Sequence, residues 1–284
     1  MLNWKVREAA GRAMKPRISV VQYLNTVPLV WGMLRGEQKG KFDLDLTVPA
    51  RCADAVRAGA ADVGIIPAIE YQRIPDLEII DGLSISSQKE VRSVLLLSAK
   101  PIEEIRTVAM DESSRTSVAL VTILLRKFYG LSISSNLAEP DAQAMLDRAD
   151  SALLIGDPAL AFHDPAVRVY DLAAEWRKFT GLPFVFAVWA GSAKGNLGRW
   201  AEDFHASLEF GLARMDDIAS EYAPRHKMTP DEVRFYLTEN INYNLDEEKL
   251  EGLRLFYRLA YELELISEPR ELRFASRQSS VPGR

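Results

Sequence analysis

Apolar and polar positions along the chain alternate between two periods. Short runs rich in branched residues, RISVVQ (17–22), FDLDLTV (42–48), DVGIIP (62–67) and LEIIDG (77–82), are separated by helically spaced stretches, PLVWGMLRG (28–36), RCADAVRAGA (51–60) and AIEYQRI (68–74). Strand-sized runs interleaved with helices predict parallel βαβ units and an α/β sheet covered on both faces. The series repeats after RSVLLLSAKP (92–101): IRTVAM (105–110), a long helix over about 114–129, LSISS (131–135), a short helix near 141–147, SALLIGD (151–157) and VRVYDL (167–172). GLPFVFAVWAG (181–191) is an unusually long β-type run, and the pattern beyond it is almost entirely helical to about residue 265. This organisation predicts two α/β lobes. Residues 17–98 plus 190–284 form the first, residues 99–189 the second, and the C-terminal helices pack back on the first. Residues 1–16 read as a loose leader, and RFASRQSSVPGR (273–284) as a frayed polar tail.

A chain of 284 residues that is 48% hydrophobic has enough apolar material for two modest lobes, so disorder and fibre are out. Its net charge of -5 gives no electrostatic footprint for nucleic acid. Cys52 is the only cysteine, which excludes an internal disulfide and a thiolate metal cluster and suits a reducing cytoplasm. His163, His205 and His226 are too scattered for a local metal motif. The first sixteen residues carry no continuous apolar segment of a secretory signal, and no stretch approaches the roughly 20 apolar residues of a spanning helix. A phosphate loop, GxSxG, HExxH and the dinucleotide glycine fingerprint are all missing, which argues against NAD, ATP or zinc chemistry.

Candidate chemistry gathers at the strand-to-helix junctions, which lie at one edge of a parallel sheet. In YLNTVPLVWG (23–32), Asn25 or Thr26 can cap the following helix, with Pro28 in its first turn. DESSRTSVALVTILLRKF (111–128) opens a helix with Ser113, Ser114, Thr116 and Ser117 and adds the charge of Arg115. It reads either as a carboxylate cradle or as a well-capped helix with a surface arginine. In LLIGDPAL (153–160), Gly156 permits close backbone approach, and Asp157 either caps the next helix or accepts a bond from a substrate hydroxyl. Glu70, in ADVGIIPAIEY (61–71), reads as an exposed helix glutamate, with a general base as the alternative.

Taken in order, YLNTVPLVWG, DVGIIPAIEY, SSRTSVAL, ALLIGDPAL and WRKFTGLPFVFAVWA resemble the chorismate dehydratase family of the futalosine route to menaquinone, over about residues 17–190. The resemblance implies a two-lobed fold like that of type II periplasmic solute-binding proteins, with a central cleft and a helical C-terminal segment. It implies a cytoplasmic hydro-lyase that needs no metal or other cofactor. That enzyme would convert chorismate to 3-[(1-carboxyvinyl)oxy]benzoate and water, its partner being that small molecule and not nucleic acid, membrane or an obligate protein. By motif, Asn25 and Ser93 carry over as catalytic. Tyr23, Thr26, Ser113, Ser114, Arg115, Thr116, Gly156 and Asp157 then line the substrate site, with Arg115 or the amides beside it on a substrate carboxylate. The segment before Ser93 departs from the family, reading SISSQKEV where a shorter glycine-rich stretch is expected, so Ser84, Ser86 and Ser87 rival Ser93.

Three other readings remain. The sister enzyme that forms a dihydroxynaphthoate in the same route leans on a histidine, and none lies in a matched motif. A cytosolic small-anion binding protein shares the fold class. An effector domain of a regulator lacks its DNA-binding segment here.

Overall fold

The computed structural model describes residues 15–275. The leader expected over residues 1–14 and the tail beyond residue 275 lie outside the described residues. Along the chain come β1 (Arg17–Val21), α1 (Val27–Arg35), β2 (Asp43–Thr47), α2 (Pro49–Arg57), β3 (Val63–Pro67), α3 (Ala68–Arg73) and the long β4 (Leu77–Ser87). A second series follows: β5 (Val94–Ser98), β6 (Thr107–Asp111), α4 (Arg115–Ile123), β7 (Ser134–Ala138), α5 (Ala142–Leu146), β8 (Ser151–Ile155), α6 (Gly156–Leu160), β9 (Arg168–Asp171) and α7 (Leu172–Thr180). The chain returns through β10 (Phe184–Ser192) to α8 (Ala201–Leu212), α9 (Met215–His226), α10 (Pro230–Phe235), β11 (Asn242–Asn244), α11 (Glu247–Glu262) and β12 (Phe274–Ala275).

These strands make two sheets, one per lobe. The first runs β11-β4-β10-β3-β1-β2 with β12 added beside β4, and the second runs β7-β6-β8-β5-β9. β1 pairs in parallel with β2 and β3, and β6 with β7 and β8, as the βαβ pattern predicts. Two strands run the other way: β10 is antiparallel between β3 and β4, and β5 is antiparallel between β8 and β9. The expected lobe boundary is corrected here, because residues 94–98 belong to the second sheet and residues 184–190 to the first. Both runs are apolar on either side of the crossover, so composition carries no mark of where the chain changes sheet.

The C-terminal helices pack on the first lobe. Ser207 donates to the Leu29 carbonyl at 2.9 Å and accepts from the Met33 amide at 3.2 Å, locking α8 along α1. A Cβ at Gly211 would stand 2.2 Å from the Pro28 carbonyl oxygen, so that crossing requires glycine. Trp176 of α7 meets Phe184 and Phe256 edge-on at centroid distances of 5.3 and 6.3 Å, carrying one apolar core from the second lobe into the first. The tail is ordered further than expected. Phe274 and Ala275 pair with Ile79 and Ile80, and the Tyr71 hydroxyl accepts from the Arg273 amide at 2.8 Å, because β4 leaves its edge open to a further strand.

Asp150 fastens the turn before β6 to the start of β8. Its carboxylate accepts from Lys100 at 2.6 Å and from the Arg106 and Thr107 amides at 2.9 and 3.0 Å. The Lys100 bond first, then those amides, hold its pKa at about 2. A depressed carboxyl stabilises the fold above its ordinary value of 3.8 and loses that contribution as the pH falls toward about 2. Asp150→Asn is therefore expected to lower the melting temperature at neutral pH and to flatten its fall between those two values, measured as melting temperature against pH. An unchanged acid limb would show that the lysine bond contributes nothing.

Candidate active site

The junctions after β1, β6 and β8 face one another between the lobes. Together they line a small cavity that opens to solvent at its mouth. Tyr23 and Asn25 enter from the β1 junction, Ser114, Thr116 and Ser117 from the start of α4, and Gly156 from the start of α6. Ser93 comes from the crossover before β5, and Ile85, Val91 and Phe186 make the floor apolar. Among the described residues no carboxylate, imidazole, guanidinium or ammonium lines the space; its polar groups are amides and hydroxyls.

Asn25 sits in a single tight turn, Leu24–Thr26, ahead of α1. The expected cap is corrected: neither this turn nor α1 has a side-chain cap bond. Thr26 is buried and donates to Asn25 Oδ1 at 3.2 Å, which leaves Thr26 behind the cavity wall. Ser93 is fully buried and accepts a 2.7 Å hydrogen bond from the Tyr236 hydroxyl, while its carbonyl accepts from the Gly156 amide, also at 2.7 Å. The turn that presents it is pinned by Asp171, whose carboxylate accepts from the Val91, Arg92, Ala173 and Ala174 amides. Arg92 adopts φ +59°, a left-handed conformation that this pinning maintains. Ser84, Ser86 and Ser87 donate instead to the carbonyls of Asn244, Asn242 and Glu90, and none of the three lines the cavity.

At the α4 junction Ser114 caps the helix through the Ser117 amide, and Thr116 Oγ1 accepts from the Ile69 amide of the first lobe at 3.2 Å. Ser113 points away, donating to Asp111 at 2.6 Å, and its oxygen stands 3.5 Å from the Tyr23 hydroxyl. Burial pushes up the pKa of both Tyr23 and Asp111. Gly156 has φ +65°, and a Cβ there would lie 2.6 Å from the Tyr23 ring, so glycine lets that ring close over the cavity.

Two charged residues behave differently from the sequence reading. Glu70 is fully buried, not exposed. Its carboxylate takes Arg57 at 2.5 Å, Arg73 at 3.1 Å and Arg115 at 3.0 Å, because α3 turns that face onto α2 and α4. Arg115 is thereby held by Glu70 and, at 2.9 Å, by Asp54. It lines a neighbouring hollow that shares Tyr23 and Ser114 with the cavity, with both ends of its guanidinium engaged across the lobes. Asp157 does not cap α6. It accepts from the Leu24 amide at 3.0 Å and lies 3.9 Å from His226, tying the second lobe to the β1 junction in an adjoining hollow. Burial raises its pKa, and the backbone bond and His226 oppose that rise.

Tyr236 is the site residue that sequence reasoning missed. It begins the widened turn Tyr236–Asn240 after α10, with no motif around it, and reaches Ser93 across 143 residues of sequence. Among the described residues no group of three or more His, Cys, Asp or Glu side chains is arranged to hold a metal, and no helix is long and apolar enough to cross a membrane.

Residues 16–262 match the family model described as menaquinone biosynthesis. A chorismate dehydratase of Thermus thermophilus is 28% identical over 263 residues, covering 86% of this chain and 94% of that protein. Among solved structures, a protein of Archaeoglobus fulgidus superposes with a TM-score of 0.71 at 18% identity, covering 89% of this chain and 98% of that one. The periplasmic aliphatic sulphonate binding protein SsuA of Escherichia coli superposes at 0.63 and 15% identity, covering 96% and 98%. These structural likenesses carry the fold alone. The chain has the two-lobed periplasmic-binding fold, and by the match over residues 16–262 it belongs to the menaquinone-biosynthesis family.

Proposed function

We propose that this protein is a cytoplasmic chorismate dehydratase of the futalosine route, forming 3-[(1-carboxyvinyl)oxy]benzoate and water. The observation that carries the reading is the space between the lobes, lined by Asn25 and Ser93 and, among the described residues, by no charged side chain. The relative from Thermus thermophilus supports the same reaction. In the dehydration, the ring carbon bearing the ether loses its hydrogen, and that electron pair forms the new ring double bond. The neighbouring carbon releases its hydroxyl, which leaves with a proton as water. Atoms and electrons balance without an oxidant or reductant, and aromatisation drives the step, so the site needs mainly to position the ring and assist the leaving hydroxyl.

Asn25 and Ser93 hold that hydroxyl, and the first-turn amides and hydroxyls of α4 receive a substrate carboxylate. Arg115, engaged by Glu70 and Asp54, contributes a held charge beside the site. With no base among the lining side chains, the substrate's own enolpyruvyl carboxylate takes the ring proton.

Purified protein incubated with chorismate is expected to remove its diene absorbance and yield the benzoate ether, with EDTA leaving the rate unchanged. Chorismate recovered intact overturns the reading, and intact chorismate bound tightly favours a small-anion binding protein. An analogue whose enolpyruvyl carboxylate is neutralised is expected to bind without turning over; turnover of that analogue would place the base on the protein.

A further inference from the structure

The Tyr236 hydroxyl is buried, and its hydrogen bond reaches Ser93, one of the two residues on which the proposed dehydration rests. It donates to Ser93 Oγ at 2.7 Å. Burial raises its pKa well above the tyrosine range while the Ser93 bond opposes that rise. The phenol therefore stays protonated at any working pH and acts as a fixed donor.

That fixes the serine in turn. With its oxygen accepting from Tyr236, Ser93 must direct its own hydrogen elsewhere. That hydrogen goes to the Val91 carbonyl across a long 3.4 Å, outside the 2.5–3.0 Å of an ordinary hydroxyl bond. A bond so weak yields to a better acceptor placed in the cavity that Ser93 lines. A hydroxyl that accepts a hydrogen bond is also polarised into a better donor.

From this juxtaposition we propose that Tyr236 is a positioning residue for the dehydration: it holds Ser93 so that the serine hydrogen points at the departing ring hydroxyl. The inference rests on the dehydratase reading above. The widened turn that delivers Tyr236 fits the role, since such turns recur at functional sites, where they re-aim one side chain.

Tyr236→Phe keeps the ring and removes only the donor. The expected result is a kcat about tenfold lower with KM within about twofold, the scale of one neutral hydrogen bond, and a melting temperature close to that of the parent protein. The diagnostic readout is a double-mutant cycle. In a Ser93→Ala background, followed over long incubations, Tyr236→Phe is expected to change kcat by less than about twofold, because its effect passes through the serine. Tyr243→Phe is the packing control: this buried hydroxyl has no hydrogen-bond partner among the described residues, so its removal is expected to leave kcat unchanged.

Full kcat in Tyr236→Phe overturns the proposal. So does an equal loss in the Ser93→Ala background, or an equal loss in Tyr243→Phe. A parent protein that leaves chorismate intact removes the dehydratase reading and this inference together, whereas an active parent with an unaffected Tyr236→Phe removes the inference alone.

Discussion

Asn25→Ser is expected to fold with a nearly unchanged melting temperature and to turn over chorismate about a hundred- to a thousand-fold more slowly, the loss of roughly 3 to 4 kcal/mol that follows removal of one transition-state contact. The structure removes the competing explanation for such a loss. Asn25 makes no helix cap, so a substitution there does not unravel α1. What is lost is an amide at the cavity wall, oriented by the Thr26 hydroxyl. Serine is too short to reach the same place.

Ser93→Ala is expected to match that loss in kcat. It also leaves the Tyr236 donor without its acceptor, which costs about 1–3 kcal/mol of stability. Rates and melting temperatures measured on both variants decide the assignment. A folded Asn25→Ser protein with the parent kcat would exclude the asparagine from the chemistry.

The second large effect is on stability. Glu70→Gln keeps the volume of a fully buried side chain and removes the one charge on which three guanidiniums converge. Breaking a buried ion pair from one side costs about 3–5 kcal/mol. The three arginine side chains are 28% to 46% exposed and recover part of their hydration, so the lower end, about 3 kcal/mol, is expected. At this chain length that is a fall of roughly 6–12 °C in melting temperature.

Arg57→Ala supplies the contrast. Arg57 is the most exposed of the three, and Glu70 keeps two partners without it, so its loss is expected to cost about 1 kcal/mol or less. Equal shifts for Glu70→Gln and Arg57→Ala in thermal melts would mean that the cluster is a set of independent surface pairs. Because Arg115 follows β6 and Glu70 follows β3, the cluster also clamps one lobe to the other beside the cavity.

The sequence by itself determined the elements and their grammar. Strand and helix follow from periods of two and 3.6, which are local, so β1, β3, β6 and β8 and the helices after them stand where the pattern predicts them. The gathering of three junctions at one cavity followed from the same grammar, since parallel strands deliver their ends to one edge.

Only the tertiary structure decided which sheet received β5 and β10, because two equally apolar strands carry no local record of their partners. It also placed Ser93, and not Ser84, Ser86 or Ser87, against the cavity, through the Asp171 bonds that pin its turn and the β11 carbonyls that take up Ser84 and Ser86. Asp157 reads as a cap until the Leu24 amide, 133 residues away, supplies its partner. Glu70 reads as a surface residue until α2 and α4 close over it with arginines, and Tyr236 reads as one more aromatic in a helical stretch. In each case the deciding contact joins residues remote in sequence, and burial there changes the value of a charge or hydroxyl that its neighbours along the chain leave undetermined.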